Sequence, residues 1–192
     1  NAMRDNGRLK IAIQKSGRLA DTSMQLLEKC GISLSKSRDQ LLCMADNFPL
    51  DVFLVRDDDI PAFLATNVCQ VGILGQNALL EQQANENGKY AGLEEVMVLG
   101  YGKCRLSIAV PNDFDYKDVT SLAGKTIATS YRGLLSNYLA EKNVSADIVT
   151  MHGAVEVAPS THLADVICDL VSTGNTLKSN GLRETDVVMQ SQ

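Results

Sequence analysis

Short apolar runs, each closed by a polar turn and followed by a segment of helical period, recur along this chain of 192 residues. This rhythm leaves few folds open. Buried parallel strands need a crossover between them, and a helix lying on the sheet supplies one. Residues 9–13 (LKIAI) form the first run, and Gln14-Lys15-Ser16-Gly17-Arg18 form the turn. Leu19, Leu26, Leu27 and Cys30 then share one face of a helix that Gly31 is placed to end. Residues 51–55 read as the next strand, Asp57-Asp58-Asp59 open a helix through Leu64, and residues 71–74 read as a strand closed by Gly75.

A second series begins with a strand at 104–110, stopped by Pro111. It continues with a strand at 126–130 and a helix carrying Leu134, Leu135, Tyr138 and Leu139 at helical spacing. A strand at 148–151, a helix around 154–164 and a strand at 166–171 follow. Both halves repeat strand, polar turn and helix without repeating a sequence. The expected fold is therefore α/β with a largely parallel sheet, in two lobes with a cleft between them. Residues 1–100 are expected to form the first lobe, with 185–192 returning to it as a strand, and residues 101–184 the second. Residues 82–92, rich in Gln, Asn and Gly, read as a surface loop.

Composition narrows the function. With 18 basic against 23 acidic residues, the net charge is -5, so no broad electrostatic footprint for nucleic acid or an anionic membrane is present. Any recognition of phosphate must be local. The apolar runs are too short for a membrane span, and the first residues lack the pattern of a secretory signal. The expected setting is the cytoplasm. Five cysteines, at 30, 43, 69, 104 and 168, are odd in number, widely spaced and mostly set among apolar neighbours, and so read as reduced core residues. His152 and His162 have no partner at a recognised metal-ligand spacing.

The stretch Ile167-Cys168-Asp169-Leu170-Val171-Ser172-Thr173-Gly174-Asn175-Thr176-Leu177 carries most of the chemistry. It reads as a strand that delivers a carboxylate, then a hydroxyl-rich turn, then a helix start. Backbone N–H groups at a helix start lack intrahelical partners and can bind phosphate oxygens. Ser172, Thr173 and Thr176 add donors, and Gly174 lets the backbone come close. Asp169 would repel a phosphate but can accept hydrogen bonds from ribose hydroxyls. A sugar phosphate is one ligand that fits. A strand ending in an ordinary cap, with Ser172 or Thr173 as the capping residue, fits the same residues.

Glu156, Ala164, Ile167, Asp169, Leu170, Thr173-Gly174, Thr176 and Leu177 fall at the spacing of the signature of the ATP phosphoribosyltransferases, the first enzymes of histidine biosynthesis. The resemblance extends along essentially the whole chain. It includes Ile11-Ala12-Ile13-Gln14-Lys15-Ser16-Gly17-Arg18-Leu19, Val55-Arg56-Asp57-Asp58-Asp59-Ile60-Pro61, Ile127-Ala128-Thr129-Ser130-Tyr131 and Gly181-Leu182-Arg183-Glu184. It implies a two-lobed architecture like that of type II periplasmic binding proteins, with the active site in the cleft. It implies joining N1 of ATP to C1 of phosphoribosyl pyrophosphate with release of pyrophosphate, with Mg2+ accompanying the polyphosphates. It also implies a homo-oligomer built on dimers. The chain resembles the catalytic region of the family's long form without its histidine-binding C-terminal regulatory domain, and is expected to escape feedback by histidine.

Such a reaction needs alignment of two polyanions more than a nucleophile, because adenine N1 already has a lone pair and pyrophosphate leaves readily. The resemblance assigns Ser172, Thr173, Gly174, Asn175 and Thr176 to the ribose 5-phosphate, and Glu156 and Asp169 to the ribose hydroxyls. Lys15, Arg18 and Arg56 follow first-lobe strands and are assigned to the polyphosphates, with Arg56 beside the departing pyrophosphate. For each cation, a solvated surface position is the alternative. Asp57-Asp58-Asp59 could hold magnesium, but aspartates collect at helix starts for dipole reasons, and that is the preferred reading. Tyr131 either stacks on adenine or is an ordinary packed tyrosine.

Two positions depart from the family pattern. His162 stands where the signature has glycine, and is expected to alter a helix end. Gln70, in Cys69-Gln70-Val71-Gly72, stands where aspartate is usual and removes a carboxylate that could position a substrate or magnesium. The competing functions are a two-lobed module that binds a phosphate ligand without chemistry, and a fragment that binds but does not turn over.

Overall fold

The computed structural model describes residues 7–35, 41–85 and 88–192, and the chain divides into two compact units, Asn1–Gly102 and Lys103–Gln192. In the first, β1 (Leu9–Gln14) runs parallel to β3 (Leu50–Val55) and to β4 (Val71–Gly72), and β2 (Leu42–Met44) pairs antiparallel with β3. Among the described residues the sheet order is β2-β3-β1-β4. Strand alternation sends Ile11, Ile13 and Val52 to one face, where they pack with Leu27 of α1 (Ala20–Lys29). Ala12 and Val55 go to the other and meet Ile60 of α2 (Ile60–Ala65), with Phe63 and Leu64 beside them.

Gly31 ends α1 as expected, at φ 82°, and the Ile32 N–H donates back to the Leu27 carbonyl at 3.1 Å. Asp57–Asp59 form a 3-10 turn leading into α2. The loop expected at 82–92 is partly helix, because α3 (Gln76–Asn85) continues through Gln82 and Gln83 and the Asn85 amide donates to Glu81 four residues back at 2.8 Å. Residues 86 and 87 lie outside the described residues.

The second unit holds a five-stranded sheet of order β7-β6-β8-β5-β9. Here β6 (Thr126–Thr129) is parallel to β7 (Asp147–Thr150) and β8 (Val166–Val171), while β5 (Cys104–Pro111) is antiparallel to β8 and to β9 (Leu182–Ser191). Leu106, Ile108, Ile127, Val166 and Cys168 face Leu135 and Leu139 of α4 (Arg132–Glu141). Ala109, Ala128, Ile167 and Val171 face Val155, Ala158 and Leu177, the last on α5 (Asn175–Ser179).

Two expectations are corrected here. Residues 185–192 do not return to the first unit: they lie in the second, and 185–191 belong to β9, which pairs along β5 from Pro111↔Leu182 to Cys104↔Ser191. The edge of β5 away from β8 would otherwise carry unpaired backbone groups, and a ten-residue strand satisfies them. The helix expected around 154–164 is a single 3-10 turn, Val155–Val157. Left-handed residues at Ala154 (φ 53°) and His162 (φ 61°) bracket the segment and stop a regular helix at either end.

Candidate functional site

In the second unit the candidate residues converge at the end of β8. Alternation along that strand puts Asp169 on the same face as Ile167 and Val171, the face that carries the Val155–Val157 turn and α5. Asp169 is half-buried, and loss of solvent pushes its carboxyl up to about 6. The nearby negative charge of Glu156 adds to that rise, while the Leu170 N–H, donating to Asp169 Oδ1 at 2.9 Å, opposes it. Two carboxylates in a partly dehydrated place form a site that favours a positive or hydroxyl-bearing ligand.

The turn follows at once. Ser172, Thr173 and Thr176 are exposed, and Gly174 at φ 84° precedes α5 in a conformation that side-chain-bearing residues rarely adopt. Nothing lies within 4 Å of where a Cβ on Gly174 would stand, so open space adjoins the backbone there. Thr173 Oγ1 accepts from the Asn175 N–H at 3.4 Å within the turn, but the residue that caps α5 is Gly174, not Ser172 or Thr173 as the alternative reading of the turn had it.

Tyr131 follows β6, the parallel neighbour of β8, and its side chain joins the core on the other face of the sheet from Asp169. It immediately precedes α4, is half-buried, and packs against the core that holds Leu135 and Leu139. Its N–H donates to Thr129 Oγ1 at 3.0 Å, and the neighbouring Ser130 hydroxyl donates to the Met151 carbonyl.

In the first unit, Lys15 and Arg56 come together. They follow the carboxyl ends of adjacent parallel strands, and the Lys15 N–H donates to the Val55 carbonyl at 2.8 Å. Both side chains are exposed, and Arg56 Nε lies 3.4 Å from Asp58, an ion pair weak enough in solvent to yield to a polyanion. Arg18 is different: its guanidinium donates to the Gly102 carbonyl and lies against Gly75, so part of its donor set is used within the unit.

The two departures from the family pattern resolve differently. Gln70 sits before β4, at the end of the sheet opposite Lys15 and Arg56. Its Oε1 accepts from the Lys10 N–H at 2.8 Å and its N–H donates to the Lys10 carbonyl at 3.0 Å, so it closes a backbone pairing. His162 is exposed at φ 61°, in a backbone conformation that explains why glycine suits the position.

Two residues, Arg105 and Ser107, went unnoticed in the sequence, and Glu184 was marked only as part of the family resemblance. Arg105 and Glu184 make a two-pronged ion pair between β5 and β9, at 2.6 and 2.8 Å. Ser107 lies across from Asp169 on β5. The only signal was the alternation of polar Arg105 and Ser107 within an otherwise apolar strand. Among the described residues no group of three or more His, Cys, Asp or Glu is placed to hold a metal ion, and no helix is long and apolar enough to cross a membrane.

Comparison with known proteins supplies the family. Residues 56–192 match the family described as HisG: ATP phosphoribosyltransferase. The chain is 47% identical over 185 residues to the ATP phosphoribosyltransferase of Maricaulis maris (strain MCS10), covering 96% of this chain and 63% of that protein, so it spans less than two thirds of its relative's length. Among solved structures it is similar to the ATP phosphoribosyl transferase (HisG:HisZ) complex from Thermotoga maritima, with a TM-score of 0.78 and 29% identity over 95% of this chain and 84% of that one. The periplasmic aliphatic sulphonate binding protein SsuA from Escherichia coli matches at a TM-score of 0.56 and 19% identity, covering 94% of this chain and 60% of that one. These likenesses place the fold in the two-lobed, type II periplasmic-binding-protein-like class. The expectation of a homo-oligomer built on dimers is corrected by the Thermotoga maritima structure, a hetero-complex of HisG with HisZ. With more than half of its length matched by the family and close identity to a relative along nearly all of it, this chain belongs to the ATP phosphoribosyltransferase (HisG) family.

Proposed function

We propose that the chain transfers the 5-phosphoribosyl group of phosphoribosyl pyrophosphate to N1 of ATP, releasing pyrophosphate, as the first step of histidine biosynthesis in the cytoplasm. The observation that carries this reading is the half-buried Asp169, with Glu156 near it, directly before an exposed hydroxyl-rich turn, inside the segment matched by the family. In the reaction the C1–oxygen bond to pyrophosphate breaks, with its electron pair leaving on pyrophosphate, and the adenine N1 lone pair forms the new bond to C1. Positive charge builds on the ribose as the first bond stretches. Asp169 and Glu156 accept hydrogen bonds from the ribose hydroxyls and, as anions near that charge, favour the transition state.

Ser172, Thr173, Gly174, Asn175 and Thr176 hold the 5-phosphate with hydroxyl and backbone N–H donors. Lys15 and Arg56 neutralise polyphosphate, and Arg56 exchanges its weak partner Asp58 for departing pyrophosphate. Arg18 contributes the donors not engaged by Gly102. Magnesium enters with the substrates, whose phosphate oxygens bind it themselves. Tyr131 is assigned to packing.

The test is formation of phosphoribosyl-ATP from ATP and phosphoribosyl pyrophosphate with magnesium, alongside calorimetric binding of phosphoribosyl pyrophosphate to wild type and Asp169→Ala. Turnover, with binding lost in the variant, supports the reading. Binding without turnover leaves only a sugar-phosphate binding unit, and absence of both returns residues 172–176 to an ordinary strand-to-helix turn.

A further inference from the structure

We propose that Arg105, locked by Glu184, is a positioning residue that holds the start of the 172–176 turn in shape for phosphoribosyl pyrophosphate. This rests on the reading of that turn given above. Arg105 lies on β5 directly opposite Val171, the last residue of β8 before the turn. Its Nε and Nη2 donate to the two oxygens of Glu184 on β9 at 2.6 and 2.8 Å, which fixes the plane of the guanidinium. The arm left over, Nη1, is aimed at the Ser172 carbonyl 3.4 Å away. Three strands therefore meet through one side chain: β5 carries it, β9 orients it, and the chain leaving β8 accepts from it.

Arginine is suited to this because its planar fork can satisfy a carboxylate with one edge and still present a donor elsewhere. A lysine can keep the charge but has no fork. The pair is also only partly exposed, at 29% and 25% of the side chains, so it is less screened than a surface pair. The turn it contacts has a left-handed residue at Gly174 and a helix of only five residues behind it, so little else in the local backbone sets where the Ser172 carbonyl points.

The experiment compares wild type, Arg105→Lys and the charge swap Arg105→Glu with Glu184→Arg. Amide hydrogen exchange at residues 173–176, without ligand, reads the order of the turn. Steady-state kinetics read KM for each substrate and kcat. For Arg105→Lys, exchange is expected to quicken and KM for phosphoribosyl pyrophosphate to rise, each about tenfold, with kcat and KM for ATP within about twofold, as expected for loss of about one charge-assisted hydrogen bond. The swap re-forms the ion pair with the guanidinium on β9, so thermal stability returns while KM for phosphoribosyl pyrophosphate stays high.

The proposal is overturned if the swap restores that KM, if exchange is unchanged in Arg105→Lys, or if both KM values and kcat move together. If wild type neither binds nor consumes phosphoribosyl pyrophosphate, the sugar-phosphate reading falls and takes the proposal with it. Exchange data still showing Arg105 ordering the turn would then separate that failure from a failure of the clamp itself.

Discussion

Ser107 on β5 faces Asp169 on β8 across the antiparallel ladder, and its hydroxyl is fully buried with no hydrogen-bond partner. It lies near the Glu184 carboxyl and helps Arg105, the larger influence, to draw that group down, without meeting the geometry of a full hydrogen bond. A buried, unsatisfied hydroxyl costs stability, so Ser107→Ala is expected to raise unfolding free energy by about 1 kcal/mol, measured by urea denaturation. A loss of stability instead would mean that the hydroxyl has a partner in solution.

Asp169 gives a prediction with two signs. Because its carboxyl is pushed up to about 6, the folded state holds a proton more tightly than the unfolded one, and stability falls as pH rises from about 4 to about 6, then levels. Asp169→Asn removes this cost and is expected to stabilise the protein at pH 7 by about 2 kcal/mol while greatly weakening phosphoribosyl pyrophosphate binding. In wild type the same protonation removes the anion, so binding should weaken as pH drops through about 6. Calorimetry between pH 5 and 8 checks the second point, and thermal melts of the variant check the first.

His162 occupies a left-handed conformation at φ 61° with its side chain exposed. Glycine adopts that backbone without strain, although its freer unfolded chain loses more entropy on folding. His162→Gly is expected to stabilise by about 0.5–1 kcal/mol and to leave substrate binding unchanged. Chemical denaturation of the pair of proteins is sufficient to decide it.

Gln70 takes its meaning from the Lys10 N–H it receives, at the opposite end of the sheet from Lys15 and Arg56. Gln70→Ala is expected to cost about 1 kcal/mol of stability, and Gln70→Asp to leave the affinity for either substrate within about twofold. A gain in affinity or magnesium dependence on introducing the carboxylate would place this position in the chemistry after all.

Gly102, at φ 71°, lies where an added Cβ would clash with Leu19 Cδ2 and meet Arg18 Nη1 at 3.0 Å, beside the carbonyl that Arg18 binds. Gly102→Ala is expected to destabilise by about 2 kcal/mol or more, from strain and from displacement of buried Leu19. Thermal denaturation reads the effect, and Gly88→Ala, also at positive φ but with nothing within 4 Å, serves as the control for strain alone.

What could be read from residue order was whatever depends on local spacing. The mainly apolar runs at 9–13, 51–55, 104–110 and 166–171 mark strands because strands buried on both faces are mostly apolar along their length. The signature from Glu156 to Leu177 could be placed because its members lie within one segment of chain. Local spacing misled where long-range geometry took over: residues 154–164 read as a helix, whereas left-handed residues bracket a segment that holds a single 3-10 turn.

The amino-acid sequence by itself determined the α/β class, the family and the turn at 172–176, because hydrophobic period and motif spacing are properties of neighbouring residues. Only the tertiary structure decided that β9 completes the second sheet, that Arg105 reaches Glu184 across 79 positions, and that Ser107 stands opposite Asp169. Strand register is settled by which edge is left unpaired and which side chains can be buried together, and that information is distributed over the whole unit.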